Sequence, residues 1–130
     1  MQEPVWITKD MAIAMHDRQL AEHGGLAGIR DEGLLESALG KPKNVFYYSD
    51  TTVDITRMAA SYAYGIATNH PFLDGNKRTA LVVSRTFLVL NGWNLVASQE
   101  EKYRAIIALA AGEMDEDTLA QWFKDNSKKK

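Results

Sequence analysis

The chain reads as an all-α domain, and three observations predict it. Apolar residues recur at helical spacing through most of the sequence. Each such run opens on a capping residue and closes on glycine, asparagine or proline. The one run of strand formers, Val45-Phe46-Tyr47-Tyr48, is too short for a sheet of its own.

The elements follow in order. Thr8 or Asp10 caps a first helix with Met11, Ala14, Met15 and Leu20 near one face, and Gly24-Gly25 stops it. Asp31 caps a second, carrying Leu34, Leu35, Ala38 and Leu39, which is expected to end before Lys41-Pro42. Asn44 to Thr52 is expected to be extended. Asp54 caps a third helix through Ile55, Met58, Ala59, Tyr62, Ala63 and Ile66. A fourth runs from about Asn76 to Leu90, is apolar over much of its surface, and so belongs at the centre of the bundle. Ser98 and Glu101 form a capping box for a fifth, with Tyr103, Ile106, Ile107 and Ala110 inward and Gly112 at its end. Asp115 or Asp117 starts a sixth, packed through Leu119, Trp122 and Phe123.

The chain has 130 residues, which suits a single domain spanning 1–130, and no repeat, linker or low-complexity stretch divides it. Its formal net charge of -2 gives no electrostatic case for nucleic-acid binding, and the terminal Lys128-Lys129-Lys130 reads as a solvated, frayed end. There is no cysteine, which excludes a disulfide framework and Cys-ligated zinc. Neither a signal pattern nor an apolar run of membrane-spanning length is present, so the expected location is cytoplasmic, away from membranes.

Chemistry concentrates in His70-Pro71-Phe72-Leu73-Asp74-Gly75-Asn76-Lys77-Arg78, directly ahead of the apolar fourth helix. A loop opening into a helix N-terminus is an anion site, because unpaired N–H groups and the helix dipole both face the ligand. Asn76, Lys77 and Arg78 there suit phosphate, and Gly75 lets the backbone approach it. His70 can accept a hydroxyl proton near neutral pH. Asp74 offers hard anionic oxygen to Mg²⁺. Phe72 reads as an anchor to the core. A histidine after a helix, an Asp-Gly-Asn turn or a Lys-Arg pair is each common without function. Their convergence on one helix start is what points to phosphoryl transfer.

The same residues resemble the Fic/Doc signature, His-x-Phe-x-Asp/Glu-Gly/Ala-Asn-Gly/Lys-Arg. Gly24-Gly25-Leu26-Ala27-Gly28-Ile29-Arg30-Asp31-Glu32-Gly33-Leu34-Leu35-Glu36-Ser37-Ala38-Leu39 is similar to the N-terminal block of death-on-curing (Doc) proteins. The resemblance implies a compact six-helix fold with a short extended flap before the central helices. It implies His70 as the base acting on a target hydroxyl, Asp74 as the Mg²⁺ ligand, and Asn76 and Arg78, with Gly75 and Lys77 beside them, as the site for the phosphates of ATP. Val45, Phe46 and Tyr47 would form a flap that docks the target by strand addition.

Fic adenylyltransferases usually carry glycine after the asparagine and a second arginine three residues past the first. Here those positions are Lys77 and Leu81. Both features are shared with Doc toxins, which bind the nucleotide reversed and transfer its γ-phosphate to elongation factor Tu, arresting translation. Arg85 lies on roughly the same helix face as Arg78, where it could replace the missing clamp, though a partner-facing or solvated arginine is the preferred reading. The Ser/Thr-x-x-x-Glu-Gly/Asn brake of self-inhibited Fic proteins is absent: at the lone Glu-Gly pair, Glu32-Gly33, Gly28 stands in the Ser/Thr position. A brake in trans, a Phd-like antitoxin of a type II toxin–antitoxin module, is therefore implied. The competing readings are a Fic-type adenylyltransferase and a non-catalytic Fic-fold binding module.

Overall fold

A computed structural model describes residues 3–49 and 53–130. Its elements are α1 (Lys9–His23), α2 (Glu32–Tyr48), α3 (Ile55–Asn69), α4 (Asn76–Leu90), β1 (Trp93–Leu95), α5 (Gln99–Ala110), α6 (Glu116–Asp125) and β2 (Ser127–Lys129). The caps are local and fall where the residue types demand. Thr8, Asp31, Asp54 and Asp115 each accept a backbone N–H from the first turn of their helix, and Ser98 and Glu101 close a reciprocal capping box.

α3 is the central element, packed against α4, α2 and α6, while α1 and α5 flank α4. Met58, Tyr62, Ile66, Phe87, Ile106, Leu119 and Phe123 are fully buried around it. Small residues let the helices approach closely. A Cβ on Gly65 of α3 would lie 2.9 Å from the Ala38 Cβ of α2. The Tyr62 hydroxyl accepts the Ile7 N–H at 3.0 Å and so ties the N-terminal segment to α3. Burial pushes that phenol up to about 12.

Four expectations need correction. α2 does not stop before Pro42; it continues through a buried Pro42 to Tyr48, so Val45, Phe46 and Tyr47 are helical and not an extended flap. Tertiary packing decides this. Trp6 meets the consecutive residues Phe46 and Tyr47 at ring-centroid distances of 5.7 and 6.4 Å. Neighbours on a strand point to opposite faces, so one ring touching both suits a helix. Asp50, Thr51 and Thr52, the end of the expected extended segment, lie outside the described residues.

On α5 the buried set is Ala105, Ile106 and Leu109, and Tyr103 and Ile107 face outward. On α1 the buried residues are Ala12 and His16, and Ala14 is exposed. The basic tail is paired rather than frayed. β2 runs antiparallel to β1, Trp93 opposite Lys129. Lys129 Nζ sits 5.6 Å from the Trp93 ring centroid, and Lys130 Nζ donates to the Val89 carbonyl at 3.0 Å, where the negative end of α4 favours a cation.

Candidate active site

The motif loop is the hinge between the two central helices. His70 ends α3 in the left-handed conformation, φ 51° and ψ 57°. Gly75, at φ 75°, turns the chain into α4. No side chain caps α4. Its first N–H groups lack intrahelical acceptors and remain available to an anion.

The loop is held from inside by its own asparagine. Asn76 Oδ1 accepts the Phe72 N–H at 3.0 Å, and Asn76 Nδ2 donates to the Phe72 carbonyl at 3.0 Å. The amide oxygen and one of the two Nδ2–H groups thus hold the loop, which leaves the second Nδ2–H and the backbone N–H at the helix start as what Asn76 can offer phosphate. Phe72 is buried and stacks on His16 of α1, ring centroids 3.8 Å apart and planes 8° from parallel.

From outside, the segment between α1 and α2 straps the loop down. Ile29 bridges Phe72 in antiparallel fashion. The Arg30 and Asp31 N–H groups donate to the Pro71 carbonyl at 2.7 and 3.0 Å, and the Leu73 N–H donates to the Gly28 carbonyl at 3.1 Å. The Arg30 guanidinium adds bonds from Nε to the His70 carbonyl at 2.6 Å and from Nη2 to the Asn69 carbonyl at 2.8 Å. The strap also reaches Asp74, whose Oδ2 accepts the Leu26 N–H at 3.2 Å while Oδ1 accepts the Gly75 N–H at 2.9 Å. Gly25 permits this approach: at φ +125°, a Cβ there would stand 2.8 Å from Asp74 Oδ2.

The loop walls a cavity of about 290 Å³ lined by His70, Leu73, Asp74, Gly75, Asn76, Lys77, Arg78 and Tyr103. All the motif residues expected to carry chemistry thus meet in one place. Tyr103 was expected in the core; instead its ring stands 5.8 Å from the Arg78 guanidinium carbon and forms part of the wall. Nothing local in the sequence distinguishes that face of α5 from its buried one. Val45, Phe46 and Tyr47 are not among the lining residues. Their N–H groups belong to α2, so they cannot add a strand to a target. A larger cavity of about 670 Å³ adjoins the first through Arg78 and Tyr103, and Met15, Leu81, Val82, Arg85 and Lys102 help to line it. Burial, followed by the nearby Arg85, holds the Lys102 ammonium below its ordinary value.

The sequence profile of the Fic/DOC family matches residues 6–88, a span that contains the strap, the loop and nearly all of α4. The chain belongs to the Fic/DOC family. Two relatives extend the match. "Protein kinase doc" of Escherichia phage P1 is 34% identical over 114 residues, covering 88% of this chain and 89% of that protein. "Toxin Doc" of Mycolicibacterium smegmatis is 40% identical over 74 residues, covering 57% of each chain. In this Fic/DOC chain the signature asparagine is a loop latch, and the signature phenylalanine is the loop's buried anchor.

Proposed function

We propose that this chain is the toxin of a toxin–antitoxin module and acts as a protein kinase, transferring the γ-phosphate of ATP to a Ser or Thr hydroxyl of elongation factor Tu. The observation that carries the reading is the shared cavity. It brings an exposed imidazole, a carboxylate, two cations and an uncapped helix N-terminus onto one wall. The similarity to a phage kinase of nearly the same length supports it.

Each residue has a distinct task. His70 takes the hydroxyl proton as the target oxygen attacks the γ-phosphorus. The bond from that phosphorus to the β,γ-bridging oxygen breaks, and ADP leaves. Lys77, Arg78 and the N–H groups at the start of α4 offset the charge on the phosphoryl oxygens. Asp74 fits a Mg²⁺ ligand of limited kind. Among the described residues no group of three or more His, Cys, Asp or Glu is placed to hold a metal ion. One carboxylate suffices for an ion that keeps waters and is otherwise held by nucleotide phosphates. Such an ion would neutralise phosphate charge.

Lys77 and Leu81 favour phosphate over nucleotidyl transfer, since a lysine fills the glycine position of adenylyltransferases and a leucine the position of their second arginine. The partner implied is a Phd-like antitoxin, and the proposed setting is the cytoplasm. Among the described residues no helix is long and apolar enough to cross a membrane.

The test is incubation of the purified chain with elongation factor Tu, Mg²⁺ and ATP labelled at either the γ- or the α-phosphorus. Label from the γ position on the factor is expected. Label from the α position makes the chain an adenylyltransferase, and label from neither favours a binding module.

A further inference from the structure

His16 is a histidine with no access to the reaction. It lies on α1, is 1% exposed, and belongs to neither cavity wall. Yet it touches the motif loop twice. Its ring stacks on Phe72 at 3.8 Å, and Nε2 lies 2.8 Å from the Asp74 carbonyl oxygen. A carbonyl only accepts, so Nε2 carries the proton and donates it. Nδ1, the other ring nitrogen, lies 3.9 Å from Asp17 Oδ1.

The bond has a directional consequence. The Asp74–Gly75 peptide is planar and trans, so fixing its carbonyl toward α1 sends the Gly75 N–H the opposite way. That N–H meets Asp74 Oδ1 at 2.9 Å. One ring beneath the loop thereby fixes the rotation of the peptide that leads into α4. It also fixes the side on which the Asp74 carboxylate and the N–H groups of α4 stand. Gly75 lies against the same ring: a Cβ there would be 3.7 Å from His16 Cδ2 and Nε2.

We infer that His16 is the positioning residue of the phosphate-binding loop, acting through its Nε2–H on the Asp74 carbonyl rather than through ring packing alone. The inference rests on the kinase reading for its kinetic effect, and on geometry alone for its effect on the loop.

Two substitutions separate donor from ring. His16→Gln keeps an N–H donor of similar reach and removes the ring. His16→Phe keeps the ring against Phe72 and removes the donor, and His16→Leu takes its place if the phenylalanine variant does not fold. Phosphate transfer to elongation factor Tu and hydrogen exchange over residues 70–78 are measured in each. The variant without the donor is expected to lose about tenfold to hundredfold in kcat/KM for ATP, the scale of a misaimed binding and reacting group. Its loop amides are expected to exchange faster. His16→Gln is expected to keep kcat/KM within about threefold and wild-type loop protection, since its donor is retained. Equal behaviour of the two variants, or a greater loss in His16→Gln, overturns the inference. If wild-type protein transfers no phosphate, the kinase reading fails, and the hydrogen-exchange comparison alone decides the role of His16.

Discussion

Arg30 holds the backbone of His70: its Nε donates to the His70 carbonyl at 2.6 Å, and its Nη2 donates to the adjoining Asn69 carbonyl at 2.8 Å. The contact joins the two sequence blocks that mark the chain, one between α1 and α2 and the other between α3 and α4. It also explains how a non-glycine residue is kept at φ 51°, a conformation that costs about 1–2 kcal/mol for an L-residue. The cation lies at the C-terminal end of α3, where the helix dipole favours it. Arg30→Ala is therefore expected to lower phosphate transfer at least about tenfold, as supporting residues around a reacting group do, and to cost about 1 kcal/mol in chemical denaturation. Arg30→Lys should not restore activity, because one ammonium cannot reproduce the two-pronged geometry. Full activity in Arg30→Lys would show that charge alone is sufficient.

Asp74→Asn tests the metal assignment. The side chain would retain an oxygen for one of the two backbone N–H groups it now accepts. It would lose the charge that a hard cation needs. Mg²⁺-dependent ATP binding by calorimetry should weaken by about tenfold or more. Unchanged binding would remove Asp74 from the metal site.

The fold was legible wherever its signals were local. Thr8, Asp31, Asp54, Asp115 and the Ser98–Glu101 box cap the helices as their types and spacing require. The motif loop and α4 were legible for the same reason. What escaped was set by contacts far along the chain. Val45 to Tyr48 have strand propensity, but they lie in α2, where Phe46 and Tyr47 pack on Trp6 and the Tyr47 hydroxyl donates to Glu3. The lysine tail finds a partner in Trp93, which no local rule supplies. At the site, an asparagine at a helix start can serve a ligand or its own loop with equal ease. Only the fold shows that the Asn76 amide holds Phe72. Gly25 read as a helix stop, and its close approach to Asp74 needs the folded loop to become visible.

The α2–α3 contact gives a prediction independent of function. In Gly65→Ala the new methyl would meet Ala38 at 2.9 Å from its Cβ and 3.1 Å from its Cα. The helices must separate, and overpacking of this kind costs about 1–3 kcal/mol. Urea denaturation should report that loss. A variant as stable as wild type would mean that the two helices can shift apart freely.

Acid should weaken the chain partly through two helix starts. Glu101 is held below its ordinary value of 4.5 mainly by its hydrogen bond to the Ser98 side chain. Asp115 is held below 3.8 mainly by hydrogen bonding to the Thr118 side chain. A lowered folded pKa means that the unfolded chain binds protons first. The stabilisation is complete above the unfolded values and lost as pH falls through the folded ones. The melting temperature should therefore fall below about pH 4.5. The double variant Glu101→Gln, Asp115→Asn should show a shallower fall, and an identical slope would contradict the assignment.

The central claim is that His70, standing exposed at the mouth of the α4 N-terminus, drives phosphate transfer. The most direct measurement is the intact mass of elongation factor Tu recovered from cells expressing either the wild-type chain or His70→Ala. Removing the imidazole from this loop position should leave the melting temperature near that of wild type, so folded variant protein serves as the control. Wild type is expected to add one phosphate to the factor and arrest growth, and His70→Ala to do neither. An AMP adduct in the wild-type sample, or a phosphate adduct that persists in His70→Ala, would contradict the account.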